Sequence, residues 1–507
     1  MAMVWLGETE ELSRERVGGK AFGINRMLHM GLPVPPAFTL TCDECLRFHD
    51  GGEVLPRDVV DLLATGVAQL EHATGRRFGD AERPLLVSVR SGAARSMPGM
   101  MDTVLNLGMT PQVQAGLARL SGDSSYAEDT ARRFSEQYEK IVGTPPPADP
   151  IAQLHGAVGA VFSSWFSERA TAYRAHHDVD DGGGTSVTVQ AMVFGNLDDD
   201  SGTGVLFSRN PLTGEPTPYG EWLPRGQGED VVSGRFDALP LSALEAQHPA
   251  VHDQLLSVAA LLEREAHDVQ DIEYTVESGR LYLLQTRAAK RSPEAAVRIA
   301  VDLHDEGVLS EDEALAHVTP GHVRALMKPH IAPDARATAH LLARGEPACP
   351  GVASGRVVTD VEQAEDLHDD GVPVVLARPT TDPDDVSGMI VSAAIVTEIG
   401  GATSHAAVVS RELGTPCVVG CGTGTVARLA GREVTVDGST GEVFEGLLPV
   451  AASGEHATPH LDRLAQWARA RAPQVDGPLP AVLAAVQAGG EDGGARVSDA
   501  PPALAAT

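Results

Sequence analysis

The hydrophobic and polar positions follow two different periods along the chain, which indicates helices and strands mixed in the same domains. Residues 116–180 place apolar side chains three and four positions apart, the spacing of one helix face. Residues 85–89, 187–194 and 204–208 are instead short apolar runs near glycine-rich turns, and they predict strands. The pattern predicts a multidomain protein of mixed α/β and α+β class.

The pattern also divides the chain into segments. Residues 1–289 are expected to form the first domain, with the helical stretch 116–180 inserted in it. Residues 290–344 are helical but broken by prolines, which predicts a helical linker. Residues 345–448 are rich in Val and Gly and predict a compact β/α domain, with strands in VPVVLA, MIVSAAIVT, PCVVG and EVTVDG. Residues 449–507 have few large apolar side chains, so we predict a mostly disordered tail that buries too little surface to offset its ordering entropy.

The charge of the chain limits the ligands that it is expected to bind. The chain has 507 residues and a formal net charge of −31 at pH 7, which repels polyphosphate backbones and argues against nucleic-acid binding. No apolar run approaches the roughly 18 residues of a membrane span, and the amino terminus lacks the zones of a signal peptide. These features predict a cytoplasmic protein that does not bind membranes.

The cysteines indicate reduced thiols, because an odd and sparse set in a long chain without a secretion signal rarely forms disulfides. The five are Cys42, Cys45, Cys349, Cys417 and Cys421. The first two form a CxxC motif, but no second pair or nearby histidine completes a zinc site. We therefore interpret them as cysteines of a helix or turn rather than as a metal or redox site.

The segment 397–422 carries the candidate catalytic histidine. Its sequence, TEIGGATSHAAVVSRELGTPCVVGCG, predicts a strand, a double-glycine turn and a helix that opens near Thr403 and Ser404. His405 then lies in the first helical turn, where the positive helix end disfavours imidazolium and stabilises an attached phosphoryl group. On chemistry alone, a structural histidine at a buried helix start is an equal alternative.

This motif resembles the phosphohistidine signature of the phosphoenolpyruvate-utilising enzymes, whose swivelling domain carries a phosphoryl group. The matching residues are GGxTSHAAVV followed by RELGTPCVVG. The resemblance implies that His405 is the phosphorylated residue and that Thr403 is its neighbour in phosphate handling.

Two further segments have the composition of a phosphate-binding site. The first is a glycine turn that carries Lys20, although its spacing differs from that of a Walker A loop. The second, SVRSGAARSMPGMMDT at residues 88–103, places Arg90 and a second arginine beside a loop of Gly, Ser and Pro. Such a loop presents backbone amides and guanidinium groups to phosphate. A surface turn is the alternative interpretation of the Lys20 segment.

A predicted hairpin between residues 271 and 291 carries candidate metal ligands. Asp271 and Glu273 share one face of its first strand, because side chains two residues apart point the same way. Paired carboxylates on a rigid hairpin suit Mg²⁺ bound to a triphosphate. Gln285 and Arg287 repeat the spacing on the second strand, and Arg287 is placed to steady a transferring phosphoryl group. A solvent-facing hairpin with cross-strand charge pairs is the alternative.

Together these segments resemble the ATP-grasp nucleotide-binding domain of the pyruvate, phosphate dikinases, a branch of the same family. The matching stretches are residues 18–23, 31–41, 88–109, 193–234 and 271–291. The resemblance implies that ATP and Mg²⁺ are bound by Lys20, Arg90, Asp271, Glu273, Gln285 and Arg287, with Asp271 and Glu273 as the metal ligands. It also implies that Arg132 or Arg133 reaches the same phosphates.

The resemblance implies an ATP-dependent phosphotransferase that converts ATP and phosphate to AMP, pyrophosphate and phosphohistidine at His405. A dikinase continues into a barrel that binds pyruvate, and no barrel follows here, so the expected acceptor is pyruvate on a separate barrel-domain protein or another molecule. Ile399 also stands near a position where dikinases usually carry arginine, which weakens the assignment of pyruvate. The alternatives are a stand-alone kinase for a small metabolite and a non-catalytic nucleotide-binding regulatory module.

Overall fold

The fold is taken from a computed structural model, which describes residues 2–491 except 9–11, 96, 98–99, 177–182, 233–236, 328–329, 332 and 452–457. Three residues of the predicted phosphate loop therefore lie outside the described residues. The same is true of residues 492–507, which belong to the predicted tail.

Helices and strands alternate along the chain, as the sequence predicts for a mixed α/β and α+β protein. The helices are α1 (Arg14–His29), α2 (Cys42–Asp50), α3 (Arg57–Thr74), α4 (Pro111–Ser121), α5 (Ser124–Val142), α6 (Pro150–Ser164), α7 (Glu168–His176), α8 (Gly228–Val232), α9 (Leu241–Gln247), α10 (Pro249–Ala266), α11 (Pro293–Asp305), α12 (Glu311–His317), α13 (Pro320–Leu326), α14 (Pro333–Thr338), α15 (Val361–Asp369), α16 (Val386–Val391), α17 (His405–Leu413), α18 (Thr425–Leu429), α19 (Pro459–Arg471) and α20 (Leu479–Glu491). Among these described helices, none combines the length and the apolar character that crossing a bilayer requires.

The strands are mostly short and are gathered into three larger sheets and two small ribbons. They are β1 (Met3–Trp5), β2 (Ala37–Leu40), β3 (Arg77–Phe78), β4 (Pro84–Leu85), β5 (Val87–Gly92), β6 (Thr103–Leu107), β7 (Ser186–Ala191), β8 (Gly202–Phe207), β9 (Tyr219–Pro224), β10 (Leu239–Pro240), β11 (Gln270–Glu277), β12 (Arg280–Ala288), β13 (His330–Ile331), β14 (Leu341–Arg344), β15 (Glu346–Cys349), β16 (Val352–Val358), β17 (Val374–Arg378), β18 (Ala394–Thr397), β19 (Cys417–Val419), β20 (Glu433–Asp437), β21 (Glu442–Glu445) and β22 (Val450–Ala451).

Two five-stranded sheets form before residue 290. The first has the order β1-β2-β7-β5-β6 and is antiparallel throughout. Its central strands β2 and β7 are buried along their whole length, which explains their continuous apolar character. The second sheet has the order β10-β9-β8-β11-β12, and it contains the predicted hairpin as β11 and β12. Helices α4 to α7 occupy the predicted helical stretch.

The described residues fall into two compact units that differ from the predicted domains. The first unit contains residues 2–204, 224–228 and 272–287, and the second contains 205–223, 229–271 and 288–491. Residues 205–223 and 229–271 thus divide from the rest of the predicted first domain. The reason is packing, because Val205, Phe207 and Val269 belong to the same core cluster as the buried face of α11.

The third sheet lies in the second unit and has the order β14-β21-β20-β16-β17-β18-β19-β15. It begins at Leu341, four residues before the predicted start of this domain. Strands β16, β17, β18 and β19 are neighbours and run parallel. The loops after β17 and β18 therefore leave the same edge of the sheet. In the predicted strand MIVSAAIVT only the second half is extended, since α16 ends at Val391.

Helices α19 and α20 show that the prediction of a mostly disordered tail is wrong for residues 459–491. Their buried side chains join the core cluster of α11, α12 and α13, and they include Leu461, Leu464, Leu479, Val482 and Leu483. Gln487 also donates from Nε2 to the carbonyl oxygens of Leu315 and Val318 at 2.9 Å each. These helices are rich in alanine and gain their stability from an apolar face far away in the sequence.

Candidate active site

The Lys20 turn packs directly on the loop that follows β5. A Cβ atom on Gly18 would lie 2.1 Å from the carbonyl oxygen of Gly92, and Gly18 has a φ of +76°. The backbone N–H of Gly19 donates to the carbonyl oxygen of Ala93 at 2.8 Å. Only glycine allows this close approach in that conformation. The structure therefore brings together two segments that the sequence singled out separately.

Charged side chains from α1, β5, β11 and β12 meet beside this turn. Arg90 donates from one terminal nitrogen to Glu273 at 3.0 Å and to Gln285 at 3.2 Å. The charged groups of Lys20 and Arg287 lie close enough to Glu273 to interact with it electrostatically. Five of the six predicted nucleotide ligands thus form one cluster in the first unit.

The cluster has an excess of positive charge. Burial and the guanidinium groups of Arg90 and Arg287 together lower the pKa of the Lys20 ammonium group to about 7, although the Glu273 carboxylate opposes the shift. Burial alone would raise the pKa of Glu273, but the three nearby cations outweigh it and hold that pKa below its usual range. The carboxylate is therefore ionised at neutral pH. Three cations around one anion suit a bound polyphosphate.

Asp271, the sixth predicted ligand, is buried on β11 two residues before Glu273. A site for Mg²⁺ on a nucleotide needs only one or two carboxylates, because phosphate oxygens and water complete the coordination. Glu273 belongs to the first unit, whereas Asp271 belongs to the second, where its charge interacts with the Arg411 guanidinium group, so their joint role as Mg²⁺ ligands stays a prediction. Arg132 and Arg133 both bind Asp129 on their own helix, so the choice between them stays a prediction.

His405 begins α17, as the sequence predicts. The residue before the helix is Ser404, whose hydroxyl oxygen accepts the backbone N–H of Ala407 at 3.5 Å. Gly414 ends the helix in the left-handed conformation with a φ of +68°. This is the usual way in which glycine stops a helix. The predicted start of the helix is confirmed.

The imidazole ring of His405 is held by a residue that the sequence analysis missed. Its Nδ1 atom lies 3.1 Å from the hydroxyl oxygen of Thr381 in the loop after β17. The Nε2 atom is buried and has no hydrogen-bond partner among the described residues. Ligands usually bind beyond the carboxyl ends of parallel strands. The adjacent carboxyl ends of β17 and β18 were therefore the feature that could have indicated Thr381. Nε2 is the ring nitrogen left for chemistry.

Burial is the main reason that His405 stays neutral. It lowers the pKa of the imidazole to about 4, and the nearby Asp382 carboxylate opposes the shift only in part. The expected cause from the sequence was the positive end of the helix. The predicted result, a neutral and nucleophilic ring near pH 7, is the same.

If His405 is the phosphorylated residue, as the resemblance implies, Thr381→Val should slow its phosphorylation by about tenfold, because the ring loses the hydrogen bond that fixes its orientation. Thr381→Ser keeps the hydroxyl group and should restore most of the rate. The measurement is single-turnover labelling with ATP at saturating concentration. Equal rates for the valine variant and the unmodified chain would show that Thr381 only packs.

Carboxylates from β9 and β15 surround the loop before His405. The hydroxyl group of Thr403 donates to the carboxylate of Glu221, and the hydroxyl group of Tyr219 donates to Glu346 at 2.7 Å. A Cβ atom on Gly401 would lie 2.5 Å from an oxygen of Glu221. Burial raises the pKa of Glu221, and the negative charge of Glu346 adds to the rise. Thr403, the residue predicted to take part in phosphate handling, thus forms a hydrogen bond with a buried carboxylate.

Two family models match parts of the chain. "Pyruvate phosphate dikinase, AMP/ATP-binding domain" matches residues 53–242. "PEP-utilising enzyme, mobile domain" matches residues 371–441, which include His405. Both matches agree with the resemblance that the motifs indicated.

Individual relatives are similar over most of this chain. Pyruvate, phosphate dikinase of Rhizobium meliloti is 39% identical and covers 90% of the chain. The enzyme of the same name from Clostridium symbiosum is 37% identical over 92% of the chain. Pyruvate, phosphate dikinase 2 of Zea mays is 41% identical over 88%. The chain spans 58%, 60% and 57% of the length of these three proteins.

Proposed function

Since this chain belongs to the phosphoenolpyruvate-utilising enzymes of the pyruvate, phosphate dikinase kind, we propose that it is an ATP-dependent phosphotransferase that phosphorylates its own His405. The observation that carries the proposal is the protonation state and hydrogen bonding of that histidine. Its ring is neutral, Nδ1 is held by Thr381, and Nε2 is left without a partner among the described residues.

The first unit supplies the cationic groups of the proposed nucleotide site. Lys20, Arg90 and Arg287 would bind the triphosphate, and their charges would stabilise the negative charge that builds up during transfer. Gln285 would orient Arg90 through their hydrogen bond. Asp271 and Glu273 would hold Mg²⁺, which neutralises phosphate charge when bound.

The proposed chemistry follows the dikinase pattern in two balanced steps. In the first, the lone pair of His405 Nε2 attacks the β-phosphorus, the bond from that phosphorus to the α-phosphate oxygen breaks, and AMP leaves. In the second, an oxygen of inorganic phosphate attacks the γ-phosphorus of the pyrophosphohistidine, the bond from that phosphorus to the β-phosphate oxygen breaks, and the pyrophosphate so formed leaves. One phosphoryl group remains on Nε2.

His405 must then deliver this group to an acceptor. We propose that α11 to α14 serve as the hinge of the swivelling domain, with the short pair β13 and β22 where the chain enters and leaves it. The acceptor is pyruvate, held by a barrel domain on a separate protein, or a different small molecule. The proposal is tested by transfer of label from the β-phosphorus of ATP to His405.

The low pKa of His405 gives the proposal a pH signature. The ring should titrate near pH 4 in the folded chain, against about 6.5 for an exposed histidine. The unfolded chain then binds a proton that the folded chain does not, so stability is lost as the pH falls from about 6.5 to 4. His405→Asn should lose less stability over that range. The measurement is ring-carbon NMR titration of the unmodified chain, and a midpoint near 6.5 would contradict the buried neutral ring.

A further inference from the structure

Two cysteines of the third sheet face each other across neighbouring strands, and the proposed reaction uses neither of them. In the antiparallel pair β15 and β19, Cys349 is the register partner of Cys417. Both side chains are completely buried, and both belong to the core cluster that contains the buried face of α17. They therefore lie on the same face of the sheet, beneath the helix that begins at His405.

The spacing of these strands suits a disulfide bond. Residues that face each other on antiparallel strands have Cα atoms about 4.5 or 5.5 Å apart, and a disulfide bond needs a Cα separation of about 4.4–6.8 Å. Cys421, the other cysteine near this end of the sheet, belongs to the core cluster on the opposite face. Cys349 is thus the cysteine that Cys417 faces.

The strand that carries Cys349 is weakly held by its backbone. In the described order of the third sheet, β15 is an end strand, with β19 as its neighbour. The register of the pair shifts between Pro347 and Cys349, which interrupts the regular ladder. A covalent bond at Cys349 would therefore anchor the part of the sheet that has the fewest hydrogen-bonded neighbours.

Arg411 lies close to the two cysteines and lacks part of its hydrogen bonding. It is in the last turn of α17 and is 4% exposed. One terminal nitrogen donates to the carbonyl oxygen of Ala348 at 3.2 Å, whereas Nε and the other terminal nitrogen have no hydrogen-bond partner among the described residues. Its positive charge interacts with both thiol groups and with Asp271. A buried guanidinium group of this kind stabilises a thiolate beside it.

Burial determines how readily these thiols react. It raises the pKa of the Cys417 thiol to about 12, although the Ser410 hydroxyl group and Arg411 oppose the rise. Only the thiolate is a nucleophile, so the reaction at neutral pH is slow. The reduced pair is therefore the resting state, and only a small oxidant can reach it.

We propose that Cys349 and Cys417 form a reversible disulfide bond when the chain meets a peroxide, and that this bond anchors β15 to β19 beneath α17. The sulfur of Cys417 attacks a peroxide oxygen, the O–O bond breaks, and the released hydroxide takes up the proton that the thiol lost. The sulfur of Cys349 then attacks the sulfenic acid, the S–O bond breaks, and a second water leaves with the proton of Cys349. This inference does not depend on the proposed phosphotransfer.

The test is treatment of the full chain with hydrogen peroxide, followed by alkylation of the remaining thiols and peptide mapping without reductant. Trypsin releases Cys349 in residues 345–356 and Cys417 in residues 412–428, so the disulfide should appear as a linked pair of these two peptides. Dithiothreitol should separate them. The oxidised chain should unfold at a temperature about 5 °C higher, because the bond closes a long loop.

Two variants control the assignment. Cys421→Ser removes the other cysteine of residues 412–428 and should leave the linked pair unchanged, whereas Cys349→Ala should abolish it. Peptides that stay unlinked after peroxide, or a bond confined to Cys42 and Cys45, would overturn the site. An unchanged unfolding temperature after complete oxidation would overturn the anchoring of β15. If Cys349→Ala fails to fold, fragmentation of the linked peptides from the Cys421→Ser chain decides the pairing.

Discussion

His405→Ala should reduce covalent labelling from ATP to less than about one thousandth of the unmodified rate. The reason is chemical, because the variant lacks the only nitrogen to which the proposal assigns the phosphoryl group, and loss of a nucleophile typically costs several orders of magnitude. Folding should change little, since the ring makes one side-chain hydrogen bond, to Thr381. The measurement is acid-labile, base-stable radioactivity retained on the protein.

A matched control is His368→Ala in the same domain. His368 is exposed in the last turn of α15, and its loss should leave labelling unchanged. Undiminished labelling of His405→Ala would move the phosphoryl group to another residue. It would also favour the alternative interpretation, in which His405 is a structural histidine at a buried helix start.

Glu273→Gln should slow phosphorylation by roughly a hundredfold or more. The change keeps the shape of the side chain and its capacity to accept from Arg90, but it removes the ionised carboxylate of the proposed Mg²⁺ site. Loss of such a ligand costs several kcal/mol of transition-state stabilisation. Binding of ATP itself should persist, because Arg90 and Arg287 keep their charges.

The control for this variant is Glu265→Gln on the exposed face of α10. Labelling should be measured at several Mg²⁺ concentrations, and Glu273→Gln should need more metal to reach half of its maximal rate. A variant with unaltered rate and metal dependence would show that β11 and β12 form only a structural hairpin. Equal circular dichroism spectra would confirm that both variants are folded.

Local sequence signals were sufficient for the elements that carry the candidate site. The helix that starts at His405 has a serine immediately before it and a glycine immediately after it, and both signals act within a few residues. The hairpin of β11 and β12 likewise follows from alternation and a Ser-Gly turn. Each motif was recognised without knowledge of the others.

Contacts between distant segments could not be predicted in the same way. Thr381 reaches His405 across 24 residues, and Glu221 reaches Thr403 across 182. The hydrophobic periodicity of the sequence does not predict such contacts. The two helices after residue 458 were missed for a similar reason, since their small apolar faces become a core only against α11 to α13. The assignment of residues 205–223 and 229–271 to the second unit also depends on this long-range packing.

The most direct test of the central claim uses ATP labelled separately at the β- and γ-phosphorus, with Mg²⁺ and inorganic phosphate. The account predicts that β-label stays on the protein, maps to a peptide containing His405, and is lost in acid but not in base. It predicts that γ-label leaves as pyrophosphate. Retention of γ-label with release of ADP, or label on a peptide without His405, would contradict the account.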